Sequence, residues 1–409
     1  MQRSSEGRWS PHSLLNVCRQ APAPPINAIL GSMRFERFVN AVLSRVRDCP
    51  VELGLLSPDA VPGSLFSGAA GVAFFLYEVG RLRKQDELLD RARLWCAAGR
   101  RWANHASLSD WKGHPYGFLI GETGLSYVEV LLSAHRGDVM KVQLAAQCIA
   151  EAAILHEASH ARRPDEFLAG TAGLLCAARD LDARLPRDVI YDAARHTLGR
   201  VRNAATAKLL AGCTAPVDPA HDEYLGLAHG VAGQLFALLS VVGASNELLR
   251  ARLDDVYCQK HVDPDGYLYW FPTGASRATE FLGTWCHGMA GHTLLWCGVA
   301  HELRTLESER LALRTAESTF LLLSPNATLC CGLAGQSVAL QRYADLANDA
   351  RFTRRAATRL SQAIRLAENT DERSLLHLWK GKIGVALTAA YRQSGERTFP
   401  CLESPIRYR

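Results

Sequence analysis

What the sequence lacks narrows it first. No apolar run approaches the roughly 20 residues that a membrane-crossing helix needs, and no membrane span is expected. The opening Met1-Gln-Arg-Ser-Ser-Glu6 has none of the apolar core of a secretory signal, which leads to the expectation of a cytoplasmic address. Net charge is nearly missing: 46 Lys and Arg against 41 Asp and Glu leave +5 over 409 residues. The basic residues are scattered rather than run together, so no nucleic-acid groove is expected, only mild attraction for acidic peptides. The twelve cysteines show no CxxC spacing of a zinc finger. Most sit in apolar helical contexts, such as Leu-Trp-Cys96 and Gln-Cys148-Ile, as small buried hydrophobes of a reducing compartment, and no disulfide framework follows.

What is present is apolar matter and a repeat. Hydrophobic residues make up 48% and charged residues 21%, enough to build a large core. The length alone suggests two or three domains, but Gly-x-x-Gly followed by an apolar run occurs seven times. The copies are Gly68/Gly71, Gly121/Gly124, Gly170/Gly173, Gly230/Gly233, Gly288/Gly291, Gly332/Gly335 and Gly381/Gly384, spaced 53, 49, 60, 58, 44 and 49 residues apart. Five read Gly-x-Ala-Gly. Each opens a nearly all-apolar helical segment, such as Val72–Val79 or Gln234–Val241, that must be buried on most sides. Between them lie amphipathic stretches, including Glu87–Leu94, Arg187–Arg195 and Arg351–Leu360, with a first near Phe35–Val46. Seven inner and seven outer helices predict an all-α fold, an α/α toroid, although a linear helical array would give the same period. One domain over 34–409 is expected, preceded by a loose arm over 1–33 that contains Ala21-Pro-Ala-Pro-Pro25. Glycines three apart share a helix face and allow close backbone approach there.

Only three copies carry chemistry, the fourth to the sixth: Leu227-Ala-His229-Gly230, Thr284-Trp-Cys286-His287-Gly288 and Thr328-Leu-Cys330-Cys331-Gly332. If equivalent turns surround one mouth, Cys286, Cys330 and Cys331 can meet, and zinc is the natural guest for three thiolates with a fourth position open. A lone cysteine in such a setting is a core residue; three at one phase of adjacent repeats are a candidate site. His287 and His292 are further candidates, but His292 lies inside the following helix and reads as a satisfied interior histidine.

These motifs resemble the lanthionine synthetase C family of α/α-toroid cyclases from about Phe35 to the last glycine-marked helix. The Trp-Cys-x-Gly turn at Trp285–Gly288 and the Cys-Cys-Gly turn at Cys330–Gly332 carry the likeness. Most relatives have histidine as third ligand; Cys331 stands there here, as in some members. The resemblance implies one zinc ion held by Cys286, Cys330 and Cys331, and addition of a peptide cysteine thiol to dehydroalanine or dehydrobutyrine in a dehydrated precursor peptide. It implies His229 as proton donor, His287 as an acid/base or substrate-positioning residue, and an acidic residue before the third motif. Glu166 is favoured for the last by counting back from Gly170, with Asp165 the alternative. The family's arginine before the first zinc cysteine is Leu282 here, with Arg277 nearby. Three anionic ligands give zinc a formal charge of −1, and −2 with a substrate thiolate, which makes that thiolate more nucleophilic. The chain carries no dehydratase-like segment, so a separate dehydratase is an expected partner. Addition of glutathione or another small thiol to dehydroamino acids, or peptide binding without turnover, are the rival readings. A toroidal glycosidase needs paired carboxylates that the decorated turns do not offer.

Overall fold

The computed structural model describes residues 26–46, 60–158, 165–214, 224–273, 282–370 and 375–396, with side chains from Met33 onward. Fourteen α-helices alternate along these residues: α1 (Ile26–Arg45), α2 (Ala69–Arg83), α3 (Asp86–Ala103), α4 (Glu122–His135), α5 (Val139–Ala158), α6 (Thr171–Arg184), α7 (Asp192–Gly212), α8 (Val231–Val242), α9 (Glu247–Cys258), α10 (Met289–Leu303), α11 (Leu306–Leu321), α12 (Leu333–Ala347), α13 (Ala350–Glu368) and α14 (Lys382–Ser394). A two-residue hairpin, β1 (His261–Val262) and β2 (Leu268–Tyr269), pairs His261 with Tyr269 and Val262 with Leu268. The expected arm falls outside the described residues up to 25, and its last part, from Ile26, already belongs to α1.

Each even-numbered helix packs on the next, and α14 packs back on α2, so the seven inner helices close a ring. The odd-numbered helices lie outside, α1 covering α14 and α13. The fold is the all-α toroid that the repeat predicts. Sequence explains the layers. In α8, nearly every residue from Val231 to Leu239 is buried, because both the outer layer and the ring neighbours cover it. In α13 only one stripe is buried, Phe352, Ala356, Arg359, Leu360, Ala363, Ile364 and Ala367, at the spacing of a single helix face. The stretch from Arg187 departs from the simple helix expected. Asp188 accepts from Ile190 N–H and caps a 3₁₀ turn over Val189–Tyr191, and α7 starts only at Asp192.

Closure has a backbone mechanism. The residue two before each motif's first glycine is joined to its counterpart in the next repeat: Phe66 N–H donates to Leu119 O (2.8 Å), Leu119 to Leu168 (2.9 Å), Leu168 to Ala228 (3.0 Å) and Ala228 to Cys286 (3.0 Å). The circuit continues from Cys286 to Cys330 (3.2 Å), Cys330 to Trp379 (2.9 Å) and Trp379 back to Phe66 (3.1 Å). The second glycine lets these turns nest. A Cβ on Gly233 would lie 2.0 Å from Leu227 O and 3.0 Å from Phe167 Cβ of the preceding repeat; on Gly291 it would meet Trp285 O at 2.3 Å and Leu227 Cβ at 2.8 Å. One apolar knob per repeat thus seats on the glycine of the next.

Away from the glycine turns the inner helices are also tied by charge. Glu78 of α2 is fully buried and accepts from Arg184 of α6 and from Tyr391 of α14 (2.6 Å), while Arg81 pairs with it at 2.8 Å. Arg184 also meets Asp180 at 2.9 Å, and Tyr127 of α4 donates to Asp180. Since α2 and α6 are not ring neighbours, this network reaches past α4 and ties inner helices two places apart. Burial pushes the Glu78 carboxyl up, but Arg184, then Arg81 and the Tyr391 hydroxyl, outweigh it and hold the pKa below the usual carboxylate value.

Two stability outcomes follow. Glu78→Gln leaves Arg184 buried without its carboxylate and costs about 3–5 kcal/mol at neutral pH by chemical denaturation. Because the folded pKa is depressed, the stabilisation is present above the unfolded value of about 4.3 and is lost as pH falls through the folded value. The gap between wild type and variant therefore narrows in acid, and a constant gap across that range contradicts the assignment. Gly233→Ala lowers stability by about 1–3 kcal/mol through overpacking. Gly212→Ala, where a Cβ meets nothing within 4 Å, is neutral or mildly stabilising.

Candidate metal centre

The thiols sit on the closed circuit itself. Cys286 and Cys330 are the circuit residues of the fifth and sixth turns, and Cys331 follows directly. Cys286 Sγ lies 3.5 Å from Cys331 Sγ, which lies 3.2 Å from Cys330 Sγ, and all three fall within 4.8 Å of one another. A disulfide is about 2.05 Å long, so all three are free thiols. Zinc–sulfur bonds of about 2.3 Å in tetrahedral geometry place sulfurs about 3.8 Å apart, a spacing this cluster fits. Cys286 and Cys330 are buried and Cys331 is half-buried, which leaves one side of the trio open.

Small hydroxyl residues set the turns. Thr284 and Thr328 each stand four before their glycine. Thr284 Oγ1 accepts from His287 N–H (3.3 Å), and Thr328 Oγ1 accepts from Cys331 N–H (3.4 Å), a side-chain turn that fixes where the next side chain starts. Thr284 Oγ1 also lies 3.6 Å from Cys286 Sγ, and the Ser324 hydroxyl donates to Cys331 O. Electrostatics separate the three thiols. Hydrogen bonds from Cys330, then Cys331, outweigh burial and pull the Cys286 thiol far down; the bond to Cys286, then that to Cys331 and burial, push Cys330 well up. The cluster stabilises one thiolate by itself. Making the second and third requires a cation among them, so the donor set suits a thiophilic metal.

Beside the trio lies an imidazole joined to a carboxylate. His229 Nδ1 is 3.0 Å from Glu166 Oε2, with Glu166 buried and the imidazole 27% exposed. The buried carboxylate orients the ring and leaves Nε2 for other work. The His287 ring stacks on His229 (centroids 5.1 Å, 22° between planes) and lies 5.2 Å from the Tyr224 ring. Asp165 is 3.8 Å from Lys208 instead, so Glu166 is the acidic residue joined to His229. His292 is interior as expected, but neither ring nitrogen has a hydrogen-bond partner among the described residues; the ring stacks on Trp270 at 4.4 Å, and burial lowers its pKa to about 3. Leu282 is buried, with its carbonyl accepting Met289 N–H. Arg277 lies outside the described residues. Sequence reasoning missed Tyr224, Thr284 and Thr328. The threonines had a signal, since both stand at the same offset as Glu166; Tyr224 had none beyond its place six before Gly230.

A helical toroid with a thiol trio and an imidazole at one ring of turns defines a class, and the comparison with known families agrees. The chain belongs to the lanthionine synthetase C-like family, whose description, lanthionine synthetase C-like protein, matches over residues 59–403. Among solved structures it is similar in fold to nisin cyclase, with a TM-score of 0.63 and 16% identity over 90% of this chain and 95% of that one. Among the described residues no helix is long and apolar enough to cross a membrane.

The donor set makes a direct expectation. Purified protein titrated with zinc binds it stoichiometrically, and Cys286→Ala and Cys330→Ala each lose it, as read by elemental analysis and by thiolate charge-transfer bands after cobalt substitution. Full zinc retention in either variant removes the trio as the metal site.

Proposed function

We propose that this protein is a zinc-dependent cyclase that joins cysteine thiols of a dehydrated precursor peptide to dehydroalanine or dehydrobutyrine residues of the same peptide, forming thioether rings. The observation that carries this reading is the placement of three thiols and a carboxylate-backed imidazole on one rigid circuit of turns. Membership in a lanthionine synthetase C-like family supports it, as does the name of the structural relative, nisin cyclase. Cys286, Cys330 and Cys331 would hold the metal, which when bound supplies a Lewis acid that presents the substrate thiol as a thiolate at neutral pH.

The remaining work falls to side chains. Addition of a thiolate at the β-carbon leaves negative charge that is quenched by a proton at the α-carbon. Glu166 accepts from His229 Nδ1–H, stabilises the imidazolium and directs Nε2 outward, so His229 delivers that proton. His287, stacked on His229, holds the ring plane and borders the space where the alkene lies. The thiol proton lost and the α-proton gained balance, so the peptide's mass does not change. A separate dehydratase supplies the substrate, and a reducing compartment such as the cytoplasm keeps the thiols free.

The test is a zinc-loaded assay on a dehydrated peptide that contains cysteines. Its thiols disappear, as judged by loss of alkylation, with no mass change. His229→Ala slows the reaction about 10²–10⁴-fold at unchanged zinc content, and Cys331→His keeps zinc but reacts more slowly. Peptide thiols that stay alkylatable while the protein joins glutathione to a cysteine-free dehydrated peptide overturn the cyclase reading in favour of a thiol-transfer enzyme.

A further inference from the structure

The residue just before the first glycine reads, from the fourth repeat onward, His229, His287, Cys331 and Lys380. The imidazoles thus flank the thiols on one side, and a lysine flanks them on the other. Cys330 N–H donates to Trp379 O at 2.9 Å, so the turn that carries Lys380 is stitched directly to the thiol turn. Trp379 stacks on Phe66 at 6.2 Å, and the Lys380 ammonium stands 5.8 Å from the centroid of that Phe66 ring. Lys380 is exposed and has no carboxylate partner among the described residues. An unpaired ammonium beside a thiolate centre, over an aromatic floor, is placed to meet an anionic atom of whatever the centre reacts with.

We propose that Lys380 is a catalytic residue that binds the carbonyl oxygen of the dehydrated residue and stabilises the enolate formed as the thiolate adds. This rests on the cyclase reading above. The carbon–sulfur bond forms at the β-carbon, and the π pair moves through the α-carbon onto the carbonyl oxygen, where the ammonium donates a hydrogen bond. The pair returns to the α-carbon as His229 delivers its proton, and Lys380 keeps its own. No electrons leave or enter. A donor aimed at charge that appears only in the transition state acts mainly on kcat.

The experiment uses the zinc-loaded full chain and a synthetic peptide with one cysteine and one dehydroalanine. Lys380→Gln lowers kcat about 10²-fold with KM nearly unchanged, keeps stoichiometric zinc, and binds the alanine analogue of the peptide as wild type does. Lys380→Arg, which retains a cationic donor, recovers most of the rate. A Lys380→Gln variant with wild-type kcat, a rate loss matched by lost zinc, or weaker analogue binding with kcat intact each overturn the role. An inert wild type overturns the cyclase reading itself, and this inference with it, whereas an active wild type with an unimpaired variant overturns this inference alone.

Discussion

The structure hangs on seven backbone hydrogen bonds that run from turn to turn and return to their start at Trp379 and Phe66. Each bond is worth only about 0.5–1.5 kcal/mol net, so the circuit's importance is geometric. It forces the residue two before each glycine into one repeated orientation, and it can form only if neighbouring turns approach to backbone contact. That approach explains the glycines. A Cβ at Gly291 or Gly335 would stand 2.3 or 2.2 Å from a carbonyl oxygen of its own turn, so the nesting that closes the circuit excludes any side chain there.

From this constraint the site follows with little further design. Cys286 and Cys330 are 44 residues apart in sequence, yet they occupy consecutive stations of one circuit, joined by Cys286 N–H to Cys330 O. A chain needs no special loop to bring them together; it needs only cysteine at two stations and one more beside the second. The same logic brings His229 next to His287, and Glu166 to His229 across one repeat. Away from these turns the inner helices are held by Glu78, Arg184, Asp180 and the two tyrosines. Rigidity at both levels allows site groups to be carried on turns without the looseness that turns usually bring.

Legibility in the sequence tracks this periodic logic. The toroid was readable because seven glycine pairs mark it, and the grouping of the thiols because they share a phase. Glu166 over Asp165 was readable only by counting back four residues, an offset whose importance becomes evident once Thr284 and Thr328 are seen to hold their turns from the same place. What escaped has no period. Glu78 lies mid-helix in an apolar run, and its partners Arg184 and Tyr391 are 106 and 313 residues away, so nothing local announces it. His292 looked like an ordinary satisfied interior histidine. Its two nitrogens are bare because a flat contact with Trp270 replaces hydrogen bonding, a choice that no spacing encodes. Arg187–Arg195 failed as one helix because Asp188 prefers to cap a tight turn.

Charge gives the centre its direction. The trio on its own settles one thiolate, at Cys286, and resists the rest, since each further negative charge falls on a sulfur within 4.8 Å of it, Cys331 at 3.5 Å. Positive charge is therefore a requirement of the cluster before it is a feature of any reaction, and a metal within the trio would meet most of it. Three thiolates around a dication would still leave an excess negative charge. An imidazole pair on one flank and an ammonium on the other are the groups that remain to balance it. Such an arrangement would suit the proposed reaction, in which a thiolate attacks, negative charge moves outward onto a substrate oxygen, and a proton arrives from the side. The flanks differ in kind: one carries an imidazole backed by the buried Glu166 carboxylate, the other an exposed ammonium. In the proposed reaction that difference would give proton delivery to the His229 side and charge stabilisation to the Lys380 side.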